Sequence, residues 1–184
     1  MSALAILAVT TAQACSSQQS DSSHLDYGAI AALAGSATND AQELEKNADA
    51  IAAATSSRSN PALWLNISEE LRAAARSLRI LASNAKAVVR VRQQNLDDPG
   101  GMLSDGLSLL RPGETLLRQT EALDADIRLL REAAVGDEAL HSSVQDLSMA
   151  VKDARGDASI AVQQGELLVE RARRIARSLG TDIE

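Results

Sequence analysis

The stretch PALWLNISEELRAAARSLRILASNAKAVVRVRQQ, residues 61–94, decides the fold of this chain. Its apolar side chains recur at alternating spacings of three and four residues, the pattern of a helix that buries one face. That face consists of Trp64, Ile67, Leu71, Ala74, Leu78, Leu81, Ala85 and Val88. Asn60 suits an N-cap, and Pro61 suits the first helical position. The stretch therefore predicts a long amphipathic helix.

Three further stretches repeat this spacing. Residues 27–55 carry an apolar face of Ile30, Ala34, Ala37, Ala41, Leu44, Ala48 and Ile51. Residues 102–135 carry one of Leu116, Thr120, Leu123, Ile127, Leu130 and Ala134. Residues 138–179 carry one of Leu140, Val144, Leu147, Val151, Ala154, Ala158, Ala161, Gly165, Leu168, Ala172, Ile175 and Leu179. We expect the tightest packing at the small residues of this last face.

The composition also favours helices. The chain has 184 residues, which fits one domain, and it contains no Phe, one Trp and one Tyr. Strands prefer aromatic and β-branched residues, whereas the abundant alanine is the best helix former. The core is therefore expected to consist of Leu, Ile, Val and Ala.

The connections between the four stretches predict how they pack. Residues 97–101, Asp-Asp-Pro-Gly-Gly, indicate a break, and Pro112 is expected to interrupt or kink the third helix. The apolar face changes phase at Gly136–Asp137, which predicts a tight hairpin, with Asp137 as a cap and Gly180 at the last helix end. We therefore predict an all-α, elongated, antiparallel up-down four-helix bundle over residues 27–184. The alternative is a three-helix bundle with a loose first segment.

The N-terminal residues have the form of an export signal. Residues 3–9 are a short apolar run, too short to span a bilayer, and Ala12-Gln13-Ala14 matches a cleavage pattern. Together with Cys15 and the polar run after it, they resemble the signal of bacterial envelope lipoproteins. The resemblance implies a signal segment 1–15, a lipid on Cys15 and a flexible tether 16–26. A plain cleaved signal and a cytoplasmic chain are the alternatives.

Residue types that carry catalysis are scarce. The two histidines are His24 in the tether and His141 in an E-x-x-H sequence that is expected to lie on a helix surface. Met102 and Met149 are expected to fill the core. We find no set of residues that predicts a catalytic centre, a metal site or a cofactor, and the net charge of −7 disfavours nucleic-acid binding. The sequence therefore predicts a protein that is not an enzyme.

Charge patterning is the one functional signal above background. A basic strip, expected away from the apolar face of the second helix, consists of Arg72, Arg76, Arg79, Lys86 and Arg90. A second basic cluster follows at Arg171, Arg173, Arg174 and Arg177, and acidic residues concentrate on the first helix at Asp40, Glu43, Glu45 and Asp49. The strip predicts docking of an anionic partner; the alternative is that the acidic and basic faces pair with each other.

These observations predict a non-enzymatic, lipid-anchored helical bundle of the bacterial envelope or periplasm that acts as a scaffold or binding protein. Its partner would be a protein or another envelope component. Two alternatives stay open. One is a small-molecule sensor with a pocket beside Trp64, the only aromatic side chain of the predicted apolar faces. The other is a cytoplasmic helical adaptor.

Overall fold

The computed structural model describes residues 24–54, 61–92, 98–133, 138–181 and 183. These ranges contain four helices, α1 (Tyr27–Ala54), α2 (Pro61–Arg92), α3 (Pro99–Ala133) and α4 (Glu138–Ser178), and no strand. The prediction of an all-α fold is confirmed. At 1.5 Å per residue, α4 is about 60 Å long, so the molecule is elongated.

Contacts between the helices show that neighbours run antiparallel. Arg72 of α2 contacts Asp49 near the end of α1, and Arg79, further along α2, contacts Glu45, earlier in α1. Contacts between α2 and α3, between α3 and α4, and between α1 and α4 also join later residues of one helix to earlier residues of the other. The four-helix up-down bundle is therefore confirmed. The three-helix alternative is wrong, because α1 is packed into the core along most of its length.

The predicted apolar faces form the core, with exceptions near helix ends. All eight positions of the α2 face are buried. Leu179 is 64% exposed, contrary to prediction, because α4 ends at Ser178 and the chain turns there. Gly180 adopts a φ of 70°, and the Thr181 amide donates to the Ala176 carbonyl, which together close the helix end as predicted for this glycine.

The two methionines that were predicted to fill the core differ in burial. Met102 is fully buried, as predicted, whereas Met149 is 55% exposed, so its prediction as a core residue is wrong. Met149 lies two positions after the core residue Leu147, and two helical steps turn a side chain by about 200° away from the core.

Pro112 does not interrupt α3, so the predicted interruption is wrong. The helix continues through it from Pro99 to Ala133. Proline lacks the amide that would bond the carbonyl four residues earlier, here that of Ser108. The side-chain amide of Asn84 on α2 donates to this carbonyl over 2.7 Å. A neighbouring helix thus supplies the missing hydrogen bond.

Helix α3 begins at Pro99, inside the stretch where a break was predicted. Asp98 is the N-cap of α3, since its carboxylate accepts hydrogen bonds from the amides of Gly100 and Gly101. Pro99 then occupies the first helical position, and both glycines lie within the helix. The predicted caps Asn60 and Asp137, the hairpin at Gly136 and the core position Ala134 lie outside the described residues.

Candidate functional site

A cleft of about 200 Å³ lies between α1 and α4, at the end of the bundle where α1 ends and α4 begins. We call it the Trp64 cleft. Side chains of all four helices line it. Its apolar floor consists of Trp64 of α2, Leu130 of α3, Leu140, Val144 and Leu147 of α4, and Ile51 of α1.

The floor follows from the amphipathic pattern of the helices. Every floor residue belongs to an apolar face predicted from the sequence, and all but Ile51 are buried. Trp64 lies in the first turn of α2 and is only 4% exposed, so it forms a buried part of the floor. Ala50 of α1 also lines the cleft. Its small side chain leaves space between α1 and α4 that a larger residue would fill.

The rim of the cleft is polar. Glu43, Lys46 and Asn47 of α1 lie opposite Ser143 and Asp146 of α4. Lys46 is paired with Glu43 over 3.1 Å, and the Asn47 side chain donates to the Glu43 backbone carbonyl over 2.9 Å. An apolar floor with a few polar groups at its mouth is the usual composition of a small-molecule site. Apolar cavities of roughly 150 Å³ accept a molecule of the size of benzene, so this cleft can hold one slightly larger.

Further along the same interface, α1 and α4 bring three carboxyl groups together, and we call Asp40, Asp153 and Asp157 the carboxyl cluster. Asp157 is 5% exposed, and its Oδ1 accepts a hydrogen bond of 2.7 Å from Ser36 Oγ on α1. Its Oδ2 is buried and has no hydrogen-bond partner among the described residues.

The cluster has unusual acid–base properties. Burial is the main cause that raises the pKa of Asp157 to about 7; the hydrogen bond from Ser36 opposes this rise, while Asp40 and Asp153 reinforce it. The pKa of Asp40 is also raised, first by burial and then by the negative charge of Asp153. The cluster therefore changes its charge near neutral pH.

Sequence reasoning assigned no role to Asp153 or Asp157 and treated Asp40 only as part of an acidic surface. A signal for Asp157 was present, because it lies directly beside the core position Ala158. Antiparallel pairing of α1 with α4 then places it opposite Asp40. The apolar pattern alone does not show how far such a flanking residue is covered by its neighbour.

The predicted basic strip lies along α2, as expected, but two of its members are paired with α1. Arg72 binds Asp49 over 2.9 Å, and Arg79 binds Glu45. Arg76, Lys86 and Arg90 are exposed and form no ion pair with other described residues. Within the described residues, three cations of the strip are thus unpaired.

The other predicted charged residues lie at the surface. The cluster of Arg171, Arg173, Arg174 and Arg177 is exposed, and Arg174 pairs with Glu170 over 2.8 Å. His24 and His141 are also exposed. Cys15, the predicted lipidation site, lies outside the described residues, as does all of the predicted signal segment.

Within the described ranges, no group of three or more His, Cys, Asp or Glu residues has a geometry that could hold a metal ion. None of the helices in these ranges has an apolar stretch long enough to cross a membrane. Comparison with protein-family models, with curated proteins and with solved structures gives no match. The case for function therefore depends on the geometry of the chain itself.

Proposed function

We propose that this protein is a non-enzymatic binding protein of the bacterial cell envelope, anchored by a lipid on Cys15, that holds a small apolar molecule in the Trp64 cleft. The observation that carries the proposal is the cleft itself, with an apolar floor contributed by all four helices and a polar rim. The lipid anchor is supported by the sequence Ala12-Gln13-Ala14-Cys15 and the polar residues that follow.

The composition of the cleft favours an apolar ligand. Its floor is formed by aliphatic side chains and one indole, so ligand binding would remove apolar surface of both partners from water. The rim offers carboxylate, ammonium, amide and hydroxyl groups that can fix the orientation of a polar substituent. The small volume excludes ligands of ordinary drug size unless the helices separate.

Trp64 can serve as a fluorescent probe for this binding, because it is the only tryptophan of the chain and forms part of the floor of the cleft. We expect benzene, toluene or cyclohexylamine to change the emission of Trp64 in a saturable way. Ala50→Phe should abolish the change, because the new ring would occupy the mouth of the cleft. Ala53→Phe, also an exposed site on α1 but not part of the lining, is the matched control and should still bind. Absence of saturable binding by all three probes, or equal binding by Ala50→Phe, would contradict the proposal.

The anchor is tested separately by the mass of the mature N-terminus. In a bacterial host, acylation should add lipid mass to a chain that begins at Cys15, and Cys15→Ala should lack this mass. An intact, unmodified N-terminus in both proteins would remove the envelope part of the proposal and leave the binding part standing.

A second candidate function is docking of an anionic partner on the basic strip. The observation that favours it is that Arg76, Lys86 and Arg90 remain exposed and without ion pairs to described residues. Replacement of all three by Glu should reduce sedimentation with phosphatidylglycerol vesicles, and the change Arg72→Glu with Arg79→Glu should reduce it less. Equal sedimentation of all these proteins would reject lipid docking.

A further inference from the structure

We propose that the interface between α1 and α4 opens and closes, and that the carboxyl cluster is the latch that controls access to the Trp64 cleft. The proposal rests on the proposed function for its biological meaning, but the opening itself requires no ligand. Its physical basis is that the buried carboxyl group of Asp157 on α4 meets Ser36 and the partly buried Asp40 of α1 in the same interface that contains the cleft.

The connections of the bundle make this interface the one that can separate. Short segments of chain join α1 to α2, α2 to α3, and α3 to α4, whereas no such segment joins α1 to α4. The α2–α3 interface is also held by the ion pair between Arg92 Nε and Asp105 Oδ2, at 2.7 Å, and by the Asn84–Ser108 hydrogen bond.

The α1–α4 interface is fixed most clearly at its other end. There the Asp26 amide donates to Gln164 Oε1 over 2.9 Å, and Gln164 is buried. Movement of α1 about this end would separate the helices most at the end that holds the cleft.

The latch lies between the fixed end and the cleft. Ser36 of α1 donates to Asp157 of α4, so the two helices share a partly buried polar contact. The groups that face Asp157 are Asp40 and Ser36 from α1 and Asp153 from α4 itself, and no charged residue of the described parts of α2 or α3 contributes to its pKa. Ionised Asp157 is therefore opposed by like charges, and no cation among the described residues contributes to its pKa. Separation of α1 from α4 would hydrate these charges and relieve their repulsion.

The pKa of Asp157 determines whether the closed or the open state is favoured at a given pH. Asp157 has a pKa of about 7, so it is mostly neutral below this pH, and the latch is closed. Above it Asp157 ionises beside Asp40, and the open state becomes favoured. The cleft begins at Glu43, one helical turn beyond Asp40 on α1, so a movement at the latch reaches its rim directly.

Quenching of Trp64 by acrylamide tests the opening in the ligand-free, full-length protein. Trp64 is 4% exposed in the closed state, so we expect weak quenching at low pH and a rise of about twofold or more as the pH passes through 7. Asp157→Asn keeps the shape of the side chain without its charge and should remain weakly quenched throughout. Asp40→Asn removes a charge that raises the pKa of Asp157, so Asp157 should ionise at a lower pH and against less repulsion. The rise in quenching should therefore be smaller and should begin at a lower pH.

Two controls separate the latch from other titrations. Glu70→Gln removes a carboxyl group whose pKa is also raised, mainly by burial and then by Asp126, but which lies between α2 and α3. His141→Gln removes an exposed histidine near the cleft. Both should keep the rise, and the circular dichroism of every variant should show intact helices.

The outcomes separate this proposal from the proposed function. A flat response in the wild type, or an unchanged rise in both Asp157→Asn and Asp40→Asn, would overturn the latch whether or not a ligand binds. A rise that Asp157→Asn abolishes supports the latch even if no probe binds the cleft. Saturable binding without a pH-dependent change in quenching would support the proposed function alone.

Discussion

Helix α4 packs against α3 on one side and against α1 on another, and the two interfaces differ in the kind of contact that they make. Toward α3, Gly165 faces Gly106, and an added Cβ on either would lie within 3.0 Å of backbone atoms of the other helix. Toward α1, the same helix presents Asp157 and Gln164, both buried; Asp157 is hydrogen bonded to Ser36 of α1, and Gln164 to Asp26 just before α1. One interface excludes water by close approach, whereas the other contains ionisable groups.

This difference indicates where the bundle can move. Backbones in direct contact cannot separate without the loss of many small attractive contacts at once. A polar interface loses less when water enters, because water can replace its hydrogen bonds. The α3–α4 pair is therefore expected to behave as a rigid unit, and α1 as the helix that can move against it.

The largest effect is expected from Gly165→Leu, which forces α3 and α4 apart. A Cβ at Gly165 would lie 2.9 Å from the Gly106 carbonyl oxygen and 2.9 Å from the Leu110 amide nitrogen. We expect the free energy of unfolding to fall by about 3 kcal/mol in urea titrations. Gly156→Leu is the control, because a Cβ at this exposed site has no neighbour within 4 Å. An unchanged midpoint for Gly165→Leu would contradict the close approach.

The next effect is expected at the α2–α3 interface. Arg92 is 2% exposed, and its Nε pairs with Asp105 Oδ2 over 2.7 Å. Asp105→Ala would leave a buried guanidinium short of a carboxylate, which we expect to cost about 2 kcal/mol of unfolding free energy. Replacement of both residues, Arg92→Met with Asp105→Ala, should recover part of the loss, and a double variant less stable than Asp105→Ala would argue against a buried charge as its cause.

An effect of similar size is expected from Asp157→Asn, but only at high pH. An aspartate in the unfolded chain ionises near pH 3.8, whereas Asp157 in the folded protein ionises near 7. The folded protein therefore loses stability as the pH rises from about 4 through 7, and above that range the loss is complete. We expect Asp157→Asn to be more stable than the wild type by about 2 kcal/mol at about pH 8.5, and this advantage to vanish near pH 4. Thermal unfolding at both pH values measures it, and an advantage that does not change with pH would contradict the raised pKa.

The smallest effect is expected at the ion pairs between α1 and α2. Arg72→Ala and Arg79→Ala each remove an exposed pair, and each should change the unfolding free energy by about 0.5 kcal/mol or less. The change should shrink further in 1 M salt, because exposed charges are screened. A loss several times larger, unaffected by salt, would show that α1 depends on these pairs for its docking.

The fold was predictable where a residue's role depends on its own helix. The apolar faces followed from spacing alone, and α2 obeys the prediction at all eight positions, from Trp64 to Val88. The continuous helix through Pro112 was not predictable, because the bond that supports it comes from Asn84 on another helix. Leu179 fits the spacing but lies beyond the point where α4 ends.

The candidate site was predictable only in part. The small-molecule alternative placed a pocket beside Trp64, because no other aromatic residue belongs to the predicted faces, and the cleft lies there. The opposite wall and the burial of Asp157 depend on how closely α1 approaches α4. That distance is set by residue sizes on both helices, including Ala50, and spacing along one helix does not encode it.

The hydrogen bond from Asn84 to the Ser108 carbonyl constrains which substitutions at positions 84 and 112 can occur separately. Pro112 is tolerated in mid-helix because a donor on α2 compensates for it, so the two positions share one constraint although they lie far apart in the chain. Loss of Asn84 alone would leave a carbonyl without its donor, while a simultaneous change of Pro112 to alanine would restore an amide and make the asparagine dispensable. Among descendants of this sequence, the proline and the asparagine should therefore be kept or discarded together.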